Sequence, residues 1–379
     1  MTDIKSNDSN FGNTPPSLSD KVKKYVEENE TKLEVGFFVG GFILDVFLLS
    51  TPDDFFGIIQ QLIYMTIVGS LLHFEVLYRL RKYKPGPRVK KFWQYRSLLL
   101  HFSFGSLLNL YSLFYIKSAS LMSSFIFLIV MLALVLANEL PFVKKASVAS
   151  KVAMYAICLF SFFSILLPIG LGFVGWIPFL LAVGLTGLAF FLHVRLLEKS
   201  FTDRRLLHRA MLYPSGTILT VFSLFYVLGW IPPVPLSVVE QGVYHSIEKK
   251  SGQYILSFEK PWWKFWQTSD RPFRAIPGDK LYFYAQIYSP TRISDSVVIH
   301  WLTKNQKGKW VSSDKVPMSI QGGREMGFRG FSYKSNYTPG EWQIRVETSG
   351  GIEISRHYVD VEASTDGIGV SREFVQAIR

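Results

Sequence analysis

The chain has 379 residues, of which 49% are hydrophobic and only 18% are charged. This shortage of charge and a mean hydropathy of +0.21 exclude an ordinary soluble protein, in which about a quarter of residues are charged. The formal net charge of +12 fits nucleic acid, anionic lipid or the cytoplasmic loops of a membrane protein, so its distribution must decide. The single cysteine, Cys158, excludes a disulfide framework and a cysteine-based metal site.

The first 34 residues form a polar segment ahead of the apolar part of the chain. Residues 1–20 are rich in Ser, Asn, Asp and Pro, and we expect a disordered tail there rather than a secretory signal peptide. Residues 17–34 are charged, and Ser17 followed by Asp20 is typical of a helix N-terminus. The sequence therefore predicts a cytoplasmic tail and lead-in helix over 1–34, with partner binding by this helix as the alternative.

Seven apolar stretches follow, each close to the roughly 20 residues that cross a bilayer as a helix. The first is short and contains Asp45, whereas the fifth is apolar throughout after Lys151 at its first position, and the sixth contains no Asp, Glu, Lys or Arg. A helix buried in a large soluble protein is also apolar all round, but seven such runs in succession favour a transmembrane domain over 35–231. The predicted spans are 35–50, 55–78, 97–116, 119–137, 151–168, 173–194 and 214–231.

Basic residues alternate with these spans. Segments 79–96, 138–151 and 195–213 contain eight, three and five Lys or Arg, and residues 1–34 contain five. The intervening connections contain one in total. Because basic loops stay in the cytoplasm, we expect the N-terminus inside and the chain after the seventh span outside. The alternation argues against nucleic-acid binding, while the eight cations of 79–96 could also bind anionic lipid.

Two layers of polar residues are expected within the spans, where ionisable groups are costly and often functional. The outer layer is a candidate intramembrane polar site formed by Asp45, Gln60, Gln61 and Asn109.

The inner layer contains His73, Glu75, His101 and His193, which could bind a metal or haem or relay protons. The spacing argues against a shared site, because residues two apart on a helix point to different sides. We therefore expect interfacial residues satisfied by headgroups, and predict no metal or cofactor.

From about residue 237 the sequence changes to short alternating runs rich in Val, Ile, Tyr, Trp and Thr. Seven or eight such runs at roughly ten-residue spacing predict an all-β, immunoglobulin-like sandwich of antiparallel strands over 237–362, with a C-terminal tail over 363–379. In the run from 341 to 349, alternation predicts a buried face of Ile344, Val346 and Thr348, and a wet face of Gln343, Arg345 and Glu347.

The sequence contains no nucleophile elbow, HExxH motif or Walker loop, so no enzyme activity and no catalytic residue are predicted. His245, His300 and His357 stand alone in strand-like sequence, and we expect them to face solvent. Trp301 and Trp310 are expected to pack in the sandwich core.

The runs "HWLTKNQKGKW", "GFRGFSYKS", "TPGEWQIRVET" and "ISRHYVDV" together resemble a bacterial domain of unknown function found at the C-terminus of envelope proteins. The shared pattern is a strand with Trp, a Gly-containing turn, RGFS, then PGEW and a final strand pair. It covers about residues 298–361, roughly a sixth of the chain. The resemblance implies a β-rich domain outside the bacterial inner membrane, and it brings no activity and no site residues.

The segment "EKPWWKFWQ" concentrates three tryptophans and a phenylalanine. On a strand, Trp262 and Trp266 share one face while Trp263 and Phe265 share the other, so one pair must point away from a one-sided core. Three interpretations remain open: contact with the membrane or the protein's own spans, contact with a ligand or partner, and the core of an irregular sandwich.

These features predict a multi-pass protein of the bacterial inner membrane with a cytoplasmic N-terminus and a periplasmic C-terminal domain. We expect a non-enzymatic function, in which the sandwich binds, senses or scaffolds an envelope protein or glycan. The alternative is a membrane carrier or channel regulated by the sandwich, and it requires polar residues of the spans to converge on one cavity.

Overall fold

The computed structural model describes residues 51–79, 82–93, 96–139, 147–199, 204–290, 293–321, 327–363 and 373–379. The predicted cytoplasmic tail, the first predicted span and Asp45 lie outside these ranges.

Eight helices make up the N-terminal half of the described chain. They are α1 (Phe55–Arg79), α2 (Pro87–Trp93), α3 (Arg96–Lys117), α4 (Leu121–Glu139), α5 (Val148–Leu171), α6 (Trp176–Glu198), α7 (Arg204–Ala210) and α8 (Leu212–Val227). Six segments are long and apolar enough to cross a membrane, with α7 and α8 together forming the sixth. They correspond to the second through seventh predicted spans, so six of the seven predicted spans are helices with the length and composition of a multi-pass membrane protein.

Helix α5 forms the centre of this helical domain and packs against α1, α3, α6 and α8. It begins where the Ser147 hydroxyl accepts a hydrogen bond from the Ser150 amide, and it ends at Gly172, whose φ of 83° suits glycine. Around it, Phe160 and Phe222 meet edge to face with ring centroids 4.8 Å apart. Outward side chains are also large and apolar, which suits contact with lipid and not with water; examples are Phe56, Phe102, Phe125, Leu180, Leu192 and Leu224.

Eleven strands make up the described part of the C-terminal half. They are β1 (Ser237–Tyr244), β2 (Ser246–Lys250), β3 (Gln253–Phe258), β4 (Phe273–Ala275), β5 (Leu281–Tyr288), β6 (Ser294–Lys304), β7 (Trp310–Gln321), β8 (Phe328–Lys334), β9 (Gly340–Thr348), β10 (Glu353–Ala363) and β11 (Val375–Ile378). A five-stranded sheet has the order β4-β10-β9-β6-β7, and two three-stranded sheets have the orders β1-β5-β8 and β11-β3-β2. All pairs are antiparallel except β4 with β10.

The β domain has three layers instead of the predicted two, and strand β5 explains why. Phe283 and Ile287 on one face join the core shared with the five-stranded sheet. Tyr284 on the opposite face joins a second cluster with Tyr254 of β3. Both faces of β5 are therefore buried, which accounts for its continuous apolar sequence. The third layer also includes β11, so the region predicted as a C-terminal tail contains a strand.

The predicted wet face of β9 is wrong in part. Ile344 and Val346 are fully buried, as expected, but Gln343 is also fully buried and Glu347 is only 7% exposed. Strand β9 lies inside the five-stranded sheet, where the long side chains of the same face cover one another. Arg345 Nε donates to Gln343 Oε1 at 2.7 Å, and His300 Nδ1 lies 3.0 Å from Glu347 Oε1.

The β domain rests on the helix ends joined by the short, almost uncharged connections. Val174, between α5 and α6, belongs to the sandwich core, while Ile352, at the tip of the β9–β10 hairpin, packs against the helical core. Ser120, just before α4, donates to Glu353 Oε1. Tyr288, at the end of β5, donates to Asp53 Oδ1 at 3.0 Å ahead of α1. Apolar side chains that pack in the core of the other domain, together with two polar contacts, thus join the two domains.

The position of Phe283 between two sheets leads to a test of the layered core. We expect Phe283→Ala to lower the free energy of unfolding of a soluble 237–379 domain by about 3–5 kcal/mol, because a large buried ring is lost. Phe331→Ala, which removes a ring that is 38% exposed, should cost much less. Chemical denaturation measures both, and equal losses would contradict this core.

Candidate functional site

Residues 261–266, here called the aromatic loop, lie between β3 and β4 and form consecutive turns instead of a strand. The Lys264 amide donates to Pro261 O and the Gln267 amide donates to Lys264 O, both at 3.0 Å. Four large side chains project from these turns into solvent. Their exposed fractions are 92% for Trp262, 52% for Trp263, 79% for Phe265 and 61% for Trp266.

A buried carboxylate closes the base of the aromatic loop. Asp270 is fully buried; its Oδ1 accepts from the Glu259 amide at 2.7 Å, and its Oδ2 lies 2.8 Å from His245 Nδ1. Gln267 Nε2 donates across the base to Glu259 O at 3.0 Å and to Ser269 O at 2.7 Å. These bonds join the two ends of the loop, so the exposed aromatic residues are carried on a fixed support.

The loop base is packed tightly on strand β1. A Cβ added to Gly242 would lie 2.6 Å from Ser269 Cβ, so only glycine allows the two segments to approach this closely. The Asp270 amide also donates to Val243 O at 2.9 Å. The aromatic loop is therefore fixed to the sandwich by backbone contact as well as by side chains.

His245 completes the support. Its Nε2 lies 3.1 Å from Arg274 O, which can only accept, so this nitrogen carries a proton. The ring stacks on Phe273 with centroids 4.2 Å apart. Burial alone would lower the pKa of His245, but the hydrogen bond and charge of Asp270 outweigh burial and raise this pKa above its ordinary value. Burial raises the pKa of Asp270, opposed by His245.

The rings of the aromatic loop are not coplanar. Trp263 and Trp266 have centroids 6.1 Å apart and planes at 69°, and Phe265 meets Trp266 edge to face at 4.9 Å and 86°. Lys264 Nζ lies 5.0 Å from the Trp263 ring centroid, which places a cation on the aromatic surface. The loop is an exposed aromatic knob with Lys264 on its surface and Lys260 beside it, whose Nζ donates to Phe265 O at 3.0 Å.

The aromatic loop lies at the end of the sandwich opposite the helical domain. Phe273, just after the loop, pairs with Val361 near the end of β10. Ile352, which contacts the helices, precedes the start of the same strand. Nine residues separate Ile352 from Val361, a distance of about 30 Å at the rise of a β-strand. The base of the knob therefore lies at the end of the sandwich far from the surface on which the sandwich rests.

These observations exclude the sandwich-core interpretation of the tryptophans. Side chains that are 52–92% exposed do not form a sandwich core, and none of the described spans covers them. Contact with an external partner, ligand or membrane stays open.

The outer polar layer of the helical domain does not form one site in the described residues. Gln60 is exposed, with its Nε2 3.3 Å from the Tyr64 hydroxyl, whereas the neighbouring Gln61 is 5% exposed and faces inward. Asn109 on α3 is partly buried. Gln60 and Gln61 thus point to different surroundings, as expected for adjacent helical residues.

The inner polar layer separates into pairs. His73 Nδ1 lies 3.1 Å from His193 Nε2, with the rings stacked at 5.2 Å. His101 Nδ1 lies 3.4 Å from Asn138 Oδ1. Across the described ranges, no group of three or more His, Cys, Asp or Glu residues has the geometry of a metal site.

Glu75 forms the largest polar contact of the inner layer. It accepts from Lys151 Nζ at 3.0 and 3.1 Å and from Arg79 Nη2 at 2.8 Å. Glu75 and Lys151 are both at most 5% exposed, so this is a buried ion pair. Lys151 stands at the boundary between a basic loop and the fifth predicted span, so its position in the sequence gives no sign of a buried partner.

The segment 79–96 is only partly available for lipid. Arg79 is bound to Glu75, and the Arg96 guanidinium lies over the Tyr78 and Trp93 rings at 5.4 and 5.1 Å. Other cations of this segment are exposed beside α2, and these are Lys82, Lys84, Arg88 and Lys90.

The expectation that the strand histidines face solvent is wrong. The side chain of His245 is 5% exposed, and His300 is buried between Glu347 and Ser312, with its Nε2 2.8 Å from the Ser312 hydroxyl. His357 is 3% exposed, and burial lowers its pKa to about 4. Isolated histidines in alternating sequence gave no sign of partners distant along the chain.

The two predicted core tryptophans differ in position. Trp301 is 1% exposed and belongs to the sandwich core, as predicted. Trp310 is only partly buried on edge strand β7, where its ring lies 5.8 Å from that of Tyr358. Because an edge strand has a neighbour on one side only, Trp310 lacks the cover that Trp301 receives.

Comparison with known proteins adds a domain match and no activity. Residues 294–361 match a family described as a protein of unknown function, DUF2914. An immunoglobulin-like protein from Pseudomonas aeruginosa covers 32% of this chain and 96% of its own, at 14% identity and a TM-score of 0.19. An alkylpurine DNA glycosylase from Pseudomonas fluorescens, solved with DNA containing an abasic-site analogue, covers 83% and 99%, at 9% identity and a TM-score of 0.20. Likenesses with TM-scores this low support no argument. No curated protein matches the sequence.

The family match spans β6 to most of β10 and includes the region in which sequence analysis found its resemblance. The aromatic loop and its support lie before the matched residues.

The support of the aromatic loop gives a pH-dependent test. The folded-state pKa of His245 is raised, so its stabilising effect is complete below the ordinary histidine pKa of about 6.5 and is lost as pH rises through the folded value. We expect Asp270→Asn to cost about 1–3 kcal/mol of unfolding free energy in the 237–379 domain near pH 6. The loss should shrink toward pH 9, and a loss independent of pH would contradict the charged pair.

The buried ion pair gives a test in the helical domain. Glu75→Gln leaves Lys151 buried without its carboxylate, so we expect a loss of about 3–5 kcal/mol and a lower Tm of the purified protein. Lys151→Met should cost less, because Glu75 keeps Arg79. The double variant should recover most of the loss, and exposed Lys84→Gln serves as control. A double variant as unstable as the sum of the two would contradict the pairing.

Proposed function

We propose that this chain is a non-enzymatic, multi-pass protein of the bacterial inner membrane that holds a partner-binding domain on the periplasmic side. The topology is supported by the position of the sandwich. Its contacts Asp53, Ser120 and Val174 lie at the helix ends whose connections carry almost no charge. The basic segments 79–96 and 195–213 lie at the opposite ends, where the positive-inside rule places the cytoplasm.

The observation that carries the binding function is the exposure of the four aromatic residues. Trp262, at 92% exposed, gives up nearly all the free energy that burial of an indole provides. Soluble surfaces seldom present contiguous large apolar groups unless another molecule covers them. The support formed by His245, Gln267 and Asp270 holds the knob in place before binding, so less conformational entropy is lost on association.

The shape of the knob favours a protein partner. A polysaccharide stacks along flat, roughly coplanar ring faces, whereas Phe265 and Trp266 meet at 86°. A convex cluster of Trp and Phe instead matches the anchors that enter an apolar pocket of a protein partner. The bilayer is disfavoured by position, since the knob lies about 30 Å along β10 from the hairpin that contacts the helices. Lys264 adds preference for a pocket with an acidic rim.

The carrier alternative has weaker support. Gln60 and Gln61 face different surroundings, and Glu75 is already neutralised by Lys151 and Arg79. We assign the helical domain the role of an anchor, with the exposed cations around α2 as contacts for anionic lipid in the inner leaflet.

A photo-crosslinking residue placed at Trp262 in intact cells tests this function. We expect an adduct with one protein of defined mass, and none from the same residue at Val311, which is 45% exposed on β7 at the same end of the sandwich. Adding Trp266→Ala should abolish the adduct, because loss of a hot-spot aromatic costs about 2 kcal/mol or more, roughly 30-fold in affinity.

Two other results would overturn the proposal. An adduct with a glycan would assign the knob to carbohydrate. A blue shift of the 237–379 domain on lipid vesicles, lost in Trp262→Ala/Trp263→Ala, would assign it to a membrane.

A further inference from the structure

A second site lies where the sandwich meets the helices. The β9–β10 hairpin and the outer ends of α6 and α8 enclose an open cleft of about 240 Å³. Its lining comes from both domains: Trp176, Tyr226 and Val227 from the helices, and Arg345, Glu347 and Glu353 from the sandwich.

The helical wall of this cleft continues into the lipid-facing surface. Trp176 is 51% exposed and Val227 is 66% exposed at the ends of two spans. Trp176 meets Tyr226 edge to face at 4.6 Å, and such aromatic residues mark the headgroup level of a bilayer. A molecule in the cleft can therefore keep acyl chains in the membrane.

The sandwich wall carries fixed charges of both signs. Arg345 Nε donates to Gln343 and lies 3.6 Å from Glu353 Oε2, while its two terminal nitrogens make no hydrogen bond within the described part of the chain. Glu347 is oriented by His300 through Oε1, and Glu353 is held by Arg356 at 2.6 and 3.0 Å. The charges are thus pre-positioned, and the guanidinium of Arg345 keeps donors for a ligand.

We propose that the cleft binds the zwitterionic headgroup of an outer-leaflet phospholipid of the phosphatidylethanolamine class, with the phosphate on Arg345 and the ammonium on Glu347. An anionic headgroup alone would face the carboxylate of Glu347, whereas Glu353 is already paired with Arg356. A zwitterion satisfies both signs, and guanidinium with phosphate is a strong, geometrically specific pair.

The aromatic residues favour a primary ammonium over a quaternary one. Choline is recognised by several open ring faces. One face of Tyr226 is stacked on Phe179 at 3.8 Å, and its other contact is the edge-on Trp176, so the ring offers no open face for a cage. A primary ammonium instead donates hydrogen bonds to the Glu347 carboxylate.

Native mass spectrometry of the full-length protein tests this site with three lipids of matched acyl chains. We expect phosphatidylethanolamine to be retained over phosphatidylcholine and phosphatidylglycerol. Arg345→Gln should reduce its retention at least about tenfold, because a charge-assisted hydrogen bond is lost. Glu347→Gln should remove the preference over phosphatidylglycerol. Arg274→Gln, exposed at the far end of the sandwich, is the control.

Gly350→Leu provides a variant that fills the cleft while leaving every ion pair in place. A Cβ at Gly350 meets only Thr348 Oγ1, at 3.8 Å, so the backbone tolerates the change. Retention of phosphatidylethanolamine unchanged in both Gly350→Leu and Arg345→Gln would overturn the proposal. Binding of soluble phosphoethanolamine without the lipid would overturn the lipid assignment, and equal retention of phosphatidylcholine would overturn the ammonium contact.

Discussion

The rest of the structure depends on one constraint: each domain packs one apolar side chain into the core of the other. Val174, from the connection between two helices, packs in the sandwich core, and Ile352, from the sandwich, packs against the helical core. Each side chain loses its exposure to water only if the domains stay together, so apolar burial holds the interface. The polar contacts Ser120 to Glu353 and Tyr288 to Asp53 then set its orientation.

This orientation determines where the aromatic loop lies relative to the helical domain. A sandwich resting on its hairpin end has the base of the aromatic loop at its opposite end, next to Phe273 and the end of β10. Asp270 and His245 connect the loop base to the end of β1, so the proposed binding surface is attached to the strand that follows the helical domain. On the proposed function, the membrane domain would fix the position and distance of a recognition surface, and a lipid in the cleft would reinforce the same interface.

The sequence predicts features that depend on neighbouring residues and misses those that depend on distant ones. Six spans follow from apolar length, and most strands follow from alternation, because both are local properties. Strands β4 and β11 are three and four residues long and exist through pairing with β10 and β3, so no local pattern indicates them. The same reason explains Lys151, whose partner is 76 positions away, and His245, whose partner Asp270 is 25 positions away. For the aromatic loop, composition identified the residues, but only the buried base shows that they project outward.

Thiol cross-linking between the domains tests the docked, exported sandwich most directly. The chain's own Cys158 is fully buried and does not compete. The sample is spheroplasts, in which the outer membrane is removed and the inner membrane is intact. A short membrane-impermeant cross-linker should join Ser120→Cys to Glu353→Cys. Mass spectrometry should then find the bridged peptide. The pair Ser120→Cys with Ala363→Cys, at the other end of β10, should not react. No bridge in the first pair, or a bridge only after the inner membrane is opened, would contradict the account.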